Sequence, residues 1–483
     1  AVTAVVACAV LFGGAQPVLA QDAGKPATTL RRSAALAAGT RGGQVPTTQA
    51  VPGAAQATPG AVKVLTLEQA LSLAAEQNRD VQKAIEYQKW VQGKYQEERA
   101  AALPQGGFNL AFMRQFDNSQ SKLFADFMPP ESEGGGTSIG DIFGGRQEVR
   151  SGTLSVNQVV FTWGQVGAAI RAAKLGFDVA DQQLRRFRQA VEKDVTTAFS
   201  DVLLAREVLG TAQADLAQKQ RHLEETNKRF SAGTATDYDV LAAQVAVDNS
   251  RPATIRAENL VLVARQQLRF LLAESAEVDV TGSLPAPLEP APGYDESLAK
   301  ALANRPELAE VKSTKGIYGE IVTIAKAGNK PRLDFSASWG QRSLGLRTIS
   351  STGTTWNAAL FATVPIFDGW RTKGRVAQAR SDLMRLSIDE LKLRDAIEVE
   401  VRVALDAVRE ASDIVTAMSG TVKQAEKLLF LAEKGYELGV KTRLEVQDAE
   451  QNLNVARLSV ARAQRDYRVA VVNLGWVTGT LAR

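Results

Sequence analysis

The chain has 483 residues, of which 45% are hydrophobic and 23% charged, with one cysteine, one histidine and a net charge of +4. Lys25, Arg31, Arg32, Arg41 and Lys63 against Asp22 account for that whole +4 within residues 21–63, so the rest of the chain is neutral. A pI near 9.0 is therefore no argument for nucleic-acid binding.

Residues 1–20 read as a secretory signal without its first residues. Val2–Phe12 is an apolar core, and Val18-Leu19-Ala20 is a small-residue cleavage site before Gln21. A short buried helix is the alternative. Val5-Val6-Ala7-Cys8 faintly resembles a lipoprotein cleavage box, but the apolar run continues past it. Cleavage after Ala20 would remove Cys8 and leave a chain whose fold does not depend on redox state. Residues 21–62, rich in Ala, Pro, Gly and Thr, have no apolar period and are expected to be a disordered tail.

A first structural unit is expected over 63–275. It opens with a helix capped by Thr66 and running to about Leu103. A hairpin follows over about 106–163. Phe108, Leu110 and Phe112 alternate with Asn109, Ala111 and Met113, and Leu154 and Val156 with Ser155 and Asn157. A long helical stretch comes next, with no proline from Gln165 to Phe230. Leu209, Leu216, Leu223 and Phe230 recur every seven residues, as in a coiled coil. Gly233 interrupts the pattern and helix resumes at Asp237, so the coil turns back on itself. A Pro-rich linker spans 276–294.

The second unit, 295–483, repeats the first. Phe161, Val195, Phe199, Leu223, Gly233 and Leu268 match Phe367, Val401, Leu405, Leu429, Gly439 and Leu474, each 206 positions on. Pro104 and Phe108 match Pro331 and Phe335 at a shift of 227. The opening helix passes through Asn304-Arg305-Pro306, the second hairpin covers about 331–367, and Val415, Val422, Leu429 and Tyr436 repeat the heptads. Each copy is expected to hold the same elements in the same order.

Four alternating strands of about ten residues are long enough to cross a membrane at a tilt. Four strands cannot close a barrel, and an open edge in lipid leaves backbone groups unpaired. Three chains together would supply twelve. With the signal segment, this points to a bacterial outer membrane. A soluble hairpin capping a coiled-coil rod, without a pore, is the alternative.

The residues resemble the TolC-type outer-membrane factors of efflux and type I secretion from about Leu65 to the C-terminus. The marks are Leu65-Thr66-Leu67-Glu68-Gln69-Ala70-Leu71 with Asn78, Asn304-Arg305-Pro306-Glu307-Leu308, and Val364-Pro365-Ile366-Phe367-Asp368-Gly369. The turns Arg229-Phe230-Ser231-Ala232-Gly233 and Gly435-Tyr436-Glu437-Leu438-Gly439 fit as well. The resemblance implies a mainly α fold with transmembrane β: a homotrimer with a twelve-stranded outer-membrane β-barrel continued by a coiled-coil periplasmic tunnel. It implies a passive exit duct for small-molecule efflux, or alternatively for type I protein secretion. The implied partners are outer-membrane lipid, a periplasmic adaptor and an inner-membrane pump or ATP-binding exporter.

Nothing in the sequence points to catalysis or to a cofactor or metal site, and His222 reads as a helix-surface residue. By position in the family, Tyr436, Lys441 and Asp239 would form a tip gate. Glu445 and Asp448 would form an acidic pore ring, with an ordinary solvated helix face as the alternative. Lys441 stands where familiar relatives carry Arg, and a point charge should latch more loosely than a bidentate fork. Gly233, Thr234, Gly439 and Val440 would face the adaptor, although a glycine there also serves simply to end a helix.

Overall fold

The computed structural model describes residues 62–117, 145–284, 288–346 and 349–481. The expected signal segment and nearly all of the expected tail lie outside the described residues. In the first unit, β1 (Lys63–Leu65) leads into α1 (Leu67–Gln77) and α2 (Arg79–Ala100). Strands β2 (Gln105–Asp117) and β3 (Gly145–Phe161) precede α3 (Gln165–Ser231) and α4 (Asp237–Leu272). After β4 (Val278–Val280), the second unit runs α5 (Tyr294–Asn304), α6 (Pro306–Lys326), β5 (Arg332–Leu346) and β6 (Ile349–Thr363). It ends with α7 (Arg371–Met418), α8 (Thr421–Glu437) and α9 (Arg443–Val477).

The opening helix of each unit is two helices, not one. The breaks fall at matching positions 227 apart, Asn78 and Arg305, each with only 4% exposure. The Asn78 carboxamide oxygen accepts from the backbone N–H of Asp80 (2.8 Å), and its nitrogen donates to the Leu271 carbonyl (2.7 Å). The side chain thus caps the second helix and ties the break to α4. At Arg305 the following proline disfavours the helical conformation, and the guanidinium ion-pairs with Glu400 at 2.7 Å.

The duplicated apolar positions become two duplicated cores. Val191, Val195, Phe199, Val202 and Leu268 are buried in the first. Their counterparts Ile397, Val401, Leu405, Val408 and Leu474 are buried in the second. The symmetry is broken in two places. The segment read as a linker contains β4, which pairs in parallel with β1, Leu65 opposite Val280. Arg206 and Arg265 hold Asp279 of β4 against α3 and α4. The second long helix is also interrupted, at Ser419–Gly420, whereas α3 runs unbroken for 67 residues, about 100 Å. Gly420 falls where α3 carries Ala214, and glycine is the poorer helix former by about 1 kcal/mol. Heptad positions Leu209, Leu216 and Leu223 are half-buried, while Phe230 at the end of α3 is exposed.

The four long strands form an antiparallel sheet in the order β2-β3-β5-β6. They are 13 to 17 residues long, longer than the ten or so expected. Register brings Phe108, Leu154, Trp339 and Trp356 into one row across all four strands. Residues directly opposite in an antiparallel pair share a face, so this face is apolar, and every member of the row is at least half exposed. The neighbouring row on the other face is Asn109, Thr153, Gly340 and Thr355. Ser338 donates to Asn357 on that polar face at 2.6 Å. Among the described residues no helix is long and apolar enough to cross a membrane. The sheet, apolar on one side and polar on the other, is the element built for it.

Candidate functional site: the two helical turns

At the end of the chain's helices far from the sheet, α3 turns into α4 and α8 into α9 by the same device. Gly233 and Gly439 take positive φ, 76° and 74°, which glycine adopts without strain. The N–H groups after them reach back one turn, Thr234 to the Arg229 carbonyl (2.8 Å) and Val440 to the Gly435 carbonyl (2.9 Å). This is the glycine-terminated helix end. Gly233, Thr234, Gly439 and Val440 are all exposed, leaving two bare turns.

Each returning helix opens on a capping box. Thr236 donates its backbone N–H (2.9 Å) and hydroxyl (2.7 Å) to the Asp239 carboxylate. Thr442 does the same to Glu445, at 2.8 and 3.1 Å. Asp239 and Glu445, read from the sequence as gate and ring, are therefore the same position of the duplicated unit. Hydrogen bonds from Thr236 hold the Asp239 carboxyl below its usual range. The Lys441 ammonium, together with the Thr442 bonds, holds Glu445 down to about 2. Both are anions at any physiological pH.

Within one chain Lys441 and Asp239 are not brought together. The Lys441 stem lies across Gly435, where an added Cβ would come within 2.4 Å of its Cγ. Its ammonium pairs with Glu445. Tyr436 meets the first turn through Arg229, whose guanidinium carbon stands 5.5 Å from the ring centre. Asp448 is exposed one helical turn beyond Glu445. Two features were not anticipated. His222, expected on the helix surface, is half-buried, with its Nε2 unpartnered. Burial first, then Arg443, lowers its pKa. Arg443 also depresses Asp239, and its own Nε and Nη2 are buried without a hydrogen-bond partner. The sequence signal was available: a cation at the first position of a helix opposes the helix dipole and needs another reason to be there.

The sequence profile of the outer membrane efflux proteins matches residues 70–274 and 298–480, leaving out the segment between the units. The chain belongs to that family. It is 26% identical over 337 residues to the alkaline protease secretion protein AprF of Pseudomonas aeruginosa, covering 68% of this chain and 69% of AprF. It is 24% identical over 356 residues to the outer membrane protein TolC of Escherichia coli, covering 71% of each. The fold matches the CmeC outer membrane channel of Campylobacter jejuni with a TM-score of 0.71 at 16% identity, over 86% of this chain and 85% of that one. The chain is accordingly an export channel of the outer membrane, with its helical part in the periplasm.

Proposed function

We propose that three copies of this chain pool their four-stranded sheets into one closed twelve-stranded barrel, continued by a tunnel of their helices. The carrying observation is the sheet itself, apolar on one face and, among the described residues, without a partner at either edge, β2 or β6. In lipid each unpaired edge group costs several kcal/mol, so the edges need partners from identical sheets. The duct is passive. A periplasmic adaptor docks on the bare turns at Gly233, Thr234, Gly439 and Val440, and an inner-membrane pump supplies the energy. The cargo is small molecules, in keeping with the efflux description of the family. The name of AprF favours protein secretion as the second reading.

Tyr436, Lys441 and Asp239 close the tip by bonds between neighbouring protomers. Lys441 exchanges its exposed partner Glu445 for the neighbour's Asp239, and Glu445 and Asp448 ring the narrow end with negative charge. Planar-bilayer recording on the purified protein tests this. Tyr436→Phe with Lys441→Ala should raise conductance more than either change alone. Glu445→Gln with Asp448→Asn, which leaves the cap of α9 an acceptor, should weaken cation preference and block by multivalent cations. A stable monomer that conducts would end the barrel reading. Parental conductance and selectivity in both double variants would end the gate.

A further inference from the structure

The two junctions where sheet passes into tunnel helix are built alike and charged differently. At the first, Phe161 packs edge-on to Trp163 with ring centres 5.3 Å apart. At the second, Phe367 and Trp370 stand 6.4 Å apart in the same manner. Trp163 and Trp370 both take left-handed backbone, φ 51° and 65°, beside a positive-φ glycine. The charges around them are not shared. Lys330, Arg371, Lys373 and Arg375 surround the second junction, and all four are exposed. The matching positions in the first unit are Leu103, Gln165, Gly167 and Ala169, none of them charged.

The duplication thus serves as an internal control. The aromatic pair belongs to both units and the cations to one. Gly328, just before Lys330, lies against the first turn of α7, where an added Cβ would come within 3.1 Å of the Thr372 hydroxyl. That contact brings the chain just before Lys330 against the first turn of α7, which carries Arg371 and Lys373. None of the four forms an ion pair among the described residues. The nearby anions are already engaged, Asp368 in accepting from the Thr372 backbone N–H (2.9 Å) and Asp334 in pairing with Arg332 (2.7 Å). The Lys373 ammonium rests over the Trp370 ring at 5.1 Å. Next to the cations stand bare apolar side chains, Ile366 at 98% exposure and Phe367 at 76%.

We propose that this junction is a docking surface for an anionic glycerophospholipid headgroup of the membrane's periplasmic leaflet. The proposal rests on the barrel reading and adds a lipid class to it. Arg332 and Thr363 form the last register pair of β5 and β6, so the lipid-facing sheet ends there. The helices beyond are periplasmic, and the junction therefore lies at headgroup depth. Aromatic rings sit at that depth in membrane proteins. Long cationic side chains keep their stems against apolar surface and their charges at the phosphates. A cluster of cations beside such a belt selects anionic over zwitterionic lipid. Apolar cover for Ile366 and Phe367 and negative charge beside the cations are then supplied by the same class of molecule.

The test uses the purified full chain titrated with phosphatidylglycerol or phosphatidylethanolamine and read by native mass spectrometry. Inorganic phosphate is added as a competitor. Phosphatidylglycerol should be preferred in the parent. Lys373→Gln with Arg375→Gln should weaken its binding on the order of 20-fold and leave phosphatidylethanolamine unchanged. Lys423→Gln with Lys427→Gln removes the same charge from α8, beyond the full length of α7, and should retain the parental preference. Millimolar phosphate should not displace the lipid. Equal lipid preference in the two double variants, or displacement by phosphate, would overturn the proposal. So would an altered ion selectivity with unaltered lipid preference, because the cations would then face the duct. Conductance of the parent in a bilayer separates failure of this inference from failure of the barrel reading.

Discussion

Gly340 joins the two units of the sheet, and adding a single methyl group there should open the seam. It lies on β5 opposite Thr153 of β3 and Thr355 of β6. A Cβ at Gly340 would sit 2.2 Å from the Gly152 carbonyl oxygen and 2.8 Å from the Thr153 Cα. Both obstacles are backbone, so no side chain can rotate away. Reaching even 3.0 Å, below which real Cβ atoms essentially never approach, requires β3 and β5 to part by 0.8 Å. Ladder bonds that start near 2.9 Å would stretch to about 3.7 Å, past the length of a hydrogen bond. Two or three such bonds at about 1 kcal/mol each, with the strain of overpacking, give a cost of about 2–4 kcal/mol for Gly340→Ala. Gly353 on β6 is the control, since a Cβ there meets nothing within 4 Å. Gly353→Ala should be neutral or slightly stabilising, because glycine in a strand interior is the worse choice by roughly 0.5–1 kcal/mol. Thermal unfolding by circular dichroism, alongside gel mobility of heated and unheated samples, compares the two. Equal melting of both variants would refute the argument that backbone contact at Gly340 holds the halves together.

Two further substitutions test the helical part. Leu405→Ala empties a site with 1% exposure in the second core and should destabilise by about 2–5 kcal/mol in chemical denaturation. Phe199→Ala, its counterpart 206 positions earlier, should cost about as much or more, and a negligible cost for either would mean that core is misassigned. Glu450 titrates high, because burial and then Asp215 disfavour its charge, against a hydrogen bond from Gln218. A carboxyl raised in the folded state contributes stability that is complete below its unfolded pKa and is lost as pH rises through the folded one. Glu450→Gln keeps an acceptor for Gln218 and should therefore raise the melting temperature at pH 7. It should also flatten the fall of the melting temperature as pH rises above the ordinary glutamate range of about 4; a lower melting point at pH 7 would refute the sign.

The sequence by itself determined what depends on short-range period and on self-similarity. Alternation marked the four strands, heptads marked α3, and the 206-residue shift paired Val195 with Val401 and Phe199 with Leu405, which the fold buries in twin cores. Gly233 and Gly439 were legible as turns because positive φ needs glycine. The tertiary structure decided what depends on distance across the chain. Strands β1 and β4 have three residues each, too short to show a period, and find each other across more than 200 positions. Asn78 ties the break between α1 and α2 to α4 because the Leu271 carbonyl is within reach. The tip residues show the same division. A repeat places Asp239 and Glu445 at matching positions, but only their partners, Thr236 for one and Thr442 with Lys441 for the other, make them caps. Partner choice among polar side chains turns on ångströms that no spacing in the sequence encodes.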